Sequence, residues 1–426
     1  MRFVVLTFVL YSTLFAYNFH FIKKETNTSA PTLLVIGGIH GNEPGGYFAV
    51  DVLAQHYTIT QGNLWMIPDL NRPSIIQNAR GIYGDMNRKF ASISKKDHEF
   101  QTVSDVKKII TKKNVSLVIN LHDGHGFYRK EYQSTIFNPN AWGQTCVIDQ
   151  GNIESNNSFS DLSCIAEQVS KILNQDLIKE HHAFNVRNTK TKFDDEAMQH
   201  SLTYFAVTHH KPAFALETSK SLDSLSQKVY YQLKAIEAFM NIMKIEYKRD
   251  FELTQNSVTN IIKNYGNIVI NTNIALDLTN IKKNLSFIPL QSRHNGFKFS
   301  HLLGNMQRVN NYYNLYIGNK KITSLKAQYF KHRECVENVA FEIDKNQKNV
   351  SFSTEISVDA DFKVITNEKL RVNIIGFTAK QRNESGITIA YSDLNHNFSV
   401  DKAKKIYRVE FYQDDSFCGM VTVNFK

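Results

Sequence analysis

Residues 32–46 read TLLVIGGIHGNEPGG, and the first half of the fold follows from how that stretch is resolved. TLLVI is a short apolar run rich in branched side chains, which marks a buried strand. It stops at a pair of glycines and passes into a polar, glycine-flanked turn that enters a helix. Three further runs have the same character: NLWMI at 63–67, SLVINL at 116–121 and AFAL at 213–216, each followed by polar or glycine-containing sequence. Apolar residues recur at helical spacing over 97–112, 160–179 and 221–245. The alternation between residues 32 and 218 predicts a sheet with parallel strands and covering helices.

Three of the four runs end on residues able to bind a metal or move a proton. GGIHGNEPGG follows the first, HDGHG follows SLVINL, and Glu217 follows AFAL. In open α/β sheets ligands bind beyond the carboxyl ends of the strands, so these residues converge despite their separation in sequence. His40 and Glu43, three apart, offer an imidazole nitrogen and a carboxylate oxygen to one ion, and His122 completes the set. Two histidines and a carboxylate with an open fourth position form the donor set of hydrolytic zinc. Glycines 37, 38, 41, 45 and 46 allow the backbone to approach a substrate closely. Glu217 has the chemistry of a general base beside such a site.

Residues 78–90, NARGIYGDMNRKF, lie between the second and third of these donors. Asn87 and Arg88 are adjacent and Arg80 precedes them by a short loop. Together they provide a guanidinium fork for bidentate capture of a carboxylate, which an exopeptidase requires.

The 426 residues exceed what one core usually organises, and 42% hydrophobic with 21% charged residues is ordinary for a globular chain. The net charge of +10 suits an acidic partner, whether nucleic acid, an anionic membrane or a carboxylate-rich wall polymer. No zinc-finger, helix-turn-helix or RNA-binding aromatic signature accompanies the lysines, which argues against nucleic acid. The opening MRFVVLTFVLYSTLFA has the layout of a secretory signal peptide ending at Ala16. Leu14 is a poor residue for cleavage there, so an uncleaved membrane anchor is the other outcome, and residues 1–16 are set aside from the fold. Four cysteines allow pairs 146 with 164 and 335 with 418, or free buried thiols.

From about residue 250 the pattern changes to short alternating runs such as NIVINTNIAL, VSFSTEISV, LRVNIIGF and YRVEFYQ. That is all-β sequence, long enough for two small domains.

HGNE at 40–43, NARGIYGDMNR at 78–88, LHDGHG at 121–126 and ALETS at 215–219 occur in the order found in the M14 family of zinc carboxypeptidases, which residues 30–245 resemble. The resemblance implies zinc on His40, Glu43 and His122, the substrate carboxylate on Asn87 and Arg88, and oxyanion stabilisation by Arg80. It also implies that Glu217 activates water and passes its proton to the leaving amine. Arg72 competes for either arginine role; the tyrosine that many members place over the substrate does not align, and Tyr204 lies in the interval where it would fall. His125 is read as a substrate contact and Trp142 as packing or recognition. The expected architecture is an α/β carboxypeptidase-like domain, with a mixed sheet and helices on both faces, at 17–248. An all-β, barrel-like domain at 249–340 and an immunoglobulin-like β-sandwich at 341–426 follow it.

An exported domain of this kind followed by two β domains resembles the epsilonproteobacterial cell-shape DL-carboxypeptidases. By that resemblance the chain removes terminal meso-diaminopimelate from peptidoglycan tripeptides in the periplasm, with Zn2+ as cofactor. The membrane would be met only through an uncleaved signal segment. Two other readings stay open: an N-acyl amino acid deacylase of the aspartoacylase type, and an inactive wall-binding scaffold.

Overall fold

A computed structural model describes residues 18–27, 29–366 and 369–426, and the expected signal segment lies outside them. The chain divides into two compact units, one comprising residues up to 75 and 79–250, the other 76–78 and 251–426.

The first unit is built on seven strands: β1 (Ile22–Glu25), β2 (Thr32–Ile36), β3 (Asn63–Ile67), β4 (Val115–Gly124), β5 (Thr145–Ile148), β6 (Asn185–Asn188) and β7 (Ala213–Ser219), in the sheet order β1-β3-β2-β4-β7-β5-β6. The four apolar runs occupy the middle, where β3, β2, β4 and β7 are mutually parallel. β1 on β3 and β5 on β7 run antiparallel, making the sheet mixed. Every residue of β2 and β3 is buried, as strands covered on both faces must be.

Helices α1 (Pro44–His56), α2 (Phe100–Ile110), α3 (Leu162–Leu173), α4 (Leu202–Thr208) and α5 (Leu225–Ile242) cover the sheet. Their starts are written in the sequence: the side chains of Asp161, Ser201 and Ser224 accept from the backbone N–H of Cys164, Tyr204 and Gln227. The predicted helical windows at 97–112, 160–179 and 221–245 hold α2, α3 and α5 with shorter bounds.

The second unit opens with α6 (Gln255–Lys263) and is otherwise β. Strands β8 (Asn267–Ile270), β9 (Ile274–Asp277) and β11 (Phe297–Phe299) form one sheet. β10 (Asn284–Leu290), β12 (Gly304–Val309), β13 (Tyr312–Ile317) and β14 (Lys320–Tyr329) form another, in the order β10-β14-β13-β12. Beyond them two sheets face each other. β15 (Asn338–Ile343), β16 (Asn346–Ser351), β18 (Asp361–Ile365) and β20 (Thr388–Ala390) build one, and β17 (Glu355–Val358), β19 (Arg371–Ile374), β21 (Ile406–Gln413) and β22 (Ser416–Phe425) most of the other. Phe341, Phe362, Tyr407, Phe411 and Val423 fill the core between them, as in a β-sandwich.

Cys335 and Cys418 form a disulfide, whereas Cys146 and Cys164 are free. The second allowed pairing fails for a simple reason: Cys146 is buried in β5 while Cys164 faces solvent from α3. Among the described residues no helix is long and apolar enough to cross a membrane.

Candidate active site

Beyond Ile36 the chain makes a tight turn, with the Gly37 N–H donating to Ile67 O at 2.8 Å and the Asn71 N–H to Gly38 O at 2.9 Å. A Cβ on Gly41 would lie 2.0 Å from the carbonyl oxygen of Ser74, so only glycine lets the His40–Glu43 turn settle against that segment. Pro44 then opens α1, leaving Glu43 at its N-cap.

His122 and Glu217 do not stand after their strands, as the sequence reading had them, but within them. β4 runs on to Gly124 and β7 to Ser219, with Glu217 registered directly against His122. The apolar run breaks at the first functional residue while the backbone ladder continues. Alternation puts the next pair, Asp123 and Thr218, on the opposite face of the sheet. There the Thr218 hydroxyl donates to Asp123 Oδ1 at 2.5 Å, and the Gly45 N–H to Asp123 Oδ2 at 2.9 Å. That carboxylate ties the first turn of α1 to the two central strands and thereby fixes where Glu43 stands.

His40, Glu43 and His122 are 2%, 4% and 3% exposed, and one donor atom from each lies within 4.8 Å of the others. Both imidazoles turn Nδ1 to Glu43 Oε2, at 3.0 Å from His40 and 2.9 Å from His122. Although burial opposes its ionisation, the two imidazoles hold the Glu43 carboxyl well below the usual carboxylate range. Two nitrogens and one carboxylate oxygen, buried and convergent, fit a divalent transition metal such as zinc. Behind this trio, His40 Nε2 meets Asp85 Oδ1 at 2.8 Å. Asp85 is itself buried enough to resist charging, but the His40 hydrogen bond and the Arg80 guanidinium hold it charged.

These groups line a cleft of about 260 Å³ together with Arg80, Asn87, Arg88, His125, Trp142, Glu217 and Lys220. Arg80 donates to Glu43 Oε1 at 3.2 Å and to Asp85 Oδ2 at 3.0 Å. Asn87 is buried, and its Oδ1 accepts from the Leu202 N–H at 2.9 Å, which leaves its amide N–H₂ for the cleft. His125 is exposed at the mouth. Trp142 is held in the wall by Arg187, whose guanidinium stacks 3.9 Å from its ring centroid. Burial pushes the Glu217 carboxyl up to about 7, with His122 acting in the opposite sense.

Arg72 and Tyr204 do not line this cleft. Arg72 pairs with Asp69 and His20, and Tyr204 sits in the first turn of α4. Sequence reasoning passed over Asp85, Asp123 and Lys220. Asp85 stands inside the quoted 78–88 segment and Asp123 directly after His122. Lys220 follows Glu217 by three residues and brings Nζ to 3.4 Å from Glu43 Oε1.

A family model described as the catalytic part of the carboxypeptidase controlling helical cell shape matches residues 1–263. A second, described as the C-terminal domain of metallo-carboxypeptidase, matches residues 332–426. Among solved structures, apo cell shape determinant protein Csd4 from Helicobacter pylori is 34% identical, covering 96% of this chain and 100% of that one, with a TM-score of 0.89. Its tripeptide-bound form matches at 35% identity over 96% and 100% of the two chains, TM-score 0.89. An mDAP-bound form, described as a D,L-carboxypeptidase, matches at 34% identity over 95% and 100%, TM-score 0.89. The comparison with curated protein sequences returns no match.

Proposed function

Since the chain belongs to the family of metallocarboxypeptidases that control helical cell shape, we propose that it is a zinc-dependent DL-carboxypeptidase that removes terminal meso-diaminopimelate from peptidoglycan tripeptides. The observation that carries this reading is the buried trio of His40, Glu43 and His122 beside Glu217, in a cleft that also holds two arginines and an asparagine. The solved relatives bind a tripeptide and mDAP, and the likeness runs through both β-rich parts, which an intracellular deacylase has no need of.

His40, Glu43 and His122 would hold the zinc, which when bound supplies Lewis-acid polarisation of the scissile carbonyl and lowers the pKa of water. Glu217 takes the proton of the attacking water and returns it to the leaving amine. A carboxyl pushed up to about 7 is suited to both halves of that transfer near neutral pH. Arg80 meets the charge that develops on the carbonyl oxygen. Asn87 and Arg88 take the terminal carboxylate of the tripeptide, which sets the cleavage point one residue from the end. His125 at the mouth contacts the stem peptide. Asp85 and Asp123 position the zinc-holding residues without touching substrate. We divide the chain into a signal segment at 1–16, a catalytic domain at 17–248 and β domains at 249–340 and 341–426. The enzyme is exported by the first of these and works in the periplasm.

The test is to incubate the purified protein with soluble peptidoglycan tripeptide, with and without chelator, and identify products by mass spectrometry. Dipeptide and free diaminopimelate, lost on chelation and restored by zinc, are expected. Intact tripeptide under metal-replete conditions would overturn the reading.

A further inference from the structure

The positive charge of the chain is concentrated in one place. Residues 251–331 carry ten Lys and Arg against only Glu252 and Asp277, a net +8, whereas residues 1–250 carry +3 and 332–426 carry −1. Among the described residues none of those ten cations is in an ion pair with a carboxylate. The first unit differs: Arg72, Arg80, Lys89 and Lys228 all face carboxylates within 4 Å. A field left unneutralised within its own module is available to a polyanion.

The same residues build a sheet face that is polar at its centre and exposed along its rim. Gln307 of β12, Asn314 of β13, Ser324 of β14 and Asn284 of β10 stand in register across all four strands; Gln307 and Asn284 at the two ends are exposed, whereas Asn314 and Ser324 between them are buried, the Ser324 hydroxyl donating to Asn314 Oδ1. The other face of this sheet is apolar: Leu285, Leu315 and Leu325 are buried, and Tyr313 stacks on Phe297 of the neighbouring sheet at 5.5 Å. On the polar face Tyr312, 41% exposed and registered against Lys326, and Tyr316 stand on either side of the buried Asn314 along β13. Four residues of strand separate the two tyrosines, about 13 Å. Lys321 and Lys326 are both exposed beside them. A tyrosine presents an apolar ring with a polar tip, the complement of a sugar's C–H face and hydroxyls. The exposed amides of Gln307 and Asn284 at the two edges supply hydrogen bonds, and the lysines meet carboxylates.

We propose that this face, on β10, β14, β13 and β12, is a second, non-catalytic binding surface for polymeric peptidoglycan, taking a glycan strand against Tyr312 and Tyr316 and the stem-peptide carboxylates on the flanking lysines. The assignment rests on the wall-polymer reading of the active site for the identity of the polymer. Such a surface raises the local concentration of stem peptides at the cleft without taking part in their hydrolysis.

The experiment is co-sedimentation of the full-length protein with insoluble sacculi, comparing wild type with Tyr312→Ala/Tyr316→Ala and with Lys321→Glu/Lys326→Glu, alongside turnover of soluble tripeptide. Each double variant is expected to bind sacculi about tenfold more weakly, and wild-type binding to weaken as salt is raised. Soluble tripeptide kcat/KM stays within about twofold in both variants, because neither pair lies in the catalytic cleft. The lysine pair is fully surface-borne and keeps the test open should the tyrosine pair fail to fold. Equal sedimentation of wild type and both variants would overturn the proposal. So would tighter binding of wild type to phosphatidylglycerol vesicles than to sacculi. Failure of wild type to cleave soluble tripeptide counts against the catalytic reading alone, since sedimentation is read independently of it.

Discussion

His40 holds Asp85 Oδ1 at 2.8 Å with Nε2 while turning Nδ1 to Glu43 Oε2 at 3.0 Å. A charged Asp85 only accepts, so it fixes the proton on Nε2 and leaves the Nδ1 lone pair free to coordinate. Asp85→Asn, which loses that charge, is expected to weaken zinc binding about 10–100-fold. Competition with a chromogenic chelator measures it, and unchanged affinity would mean that something other than Asp85 sets the tautomer.

Arg88 is the second case. Its role as the carboxylate anchor predicts that Arg88→Ala lowers kcat/KM on tripeptide by about 10²–10³, and that lysine at this position restores little of it, since a point charge lacks the fork. The discriminating measurement is a tripeptide with an amidated C-terminus. Wild type should reject it, while the alanine variant treats acid and amide nearly alike.

Stability should fall as pH rises from 5 to 8. Burial in α1 pushes the Asp51 carboxyl up to about 8, and a second buried carboxyl, Asp149, up to about 6. Between about 3.9, where an unfolded aspartate titrates, and these values, the folded chain holds protons that the unfolded chain has released. The stabilisation from those protons is whole below about pH 4 and is lost as pH climbs through the folded values. Asp51→Asn keeps an acceptor for the Gln55 amide, which donates to Asp51 Oδ1 at 2.8 Å. It should therefore flatten the slope and exceed wild type at pH 8 by at least about 1 kcal/mol, as read from urea melts at the two pH values.

The Cys335–Cys418 bond closes a separation of 83 residues. Replacing both cysteines with alanine is expected to destabilise the second unit by about 2–4 kcal/mol. Replacing the free, exposed Cys164 should change stability by less than about 0.5 kcal/mol. Calorimetry of the three proteins decides it.

Much of the catalytic half could be read in advance because its chemistry interrupts apolar runs. TLLVI, NLWMI, SLVINL and AFAL are the four central strands, and the middle of a sheet covered by helices buries such runs on both faces. The edge strands β1, IKKE, and β6, NVRN, carry no such signal. They are strands only because a neighbouring strand offers its free edge, which is tertiary information. Hydrophobicity alone ends the two strands at Leu121 and Leu216, whereas backbone pairing carries them through His122 and Glu217. Asp85 carries no local signal, since its partner His40 lies 45 residues away. Local pattern cannot find a contact of that kind.

The most direct test of proton transfer by Glu217 is Glu217→Gln, assayed on soluble tripeptide with bound zinc measured in the same preparation. One zinc per chain retained, a melting temperature no lower than that of wild type, and kcat lowered by about 10²–10⁴ are expected. Turnover within about tenfold of wild type, with zinc retained, would contradict it and take the proton-transfer role away from Glu217.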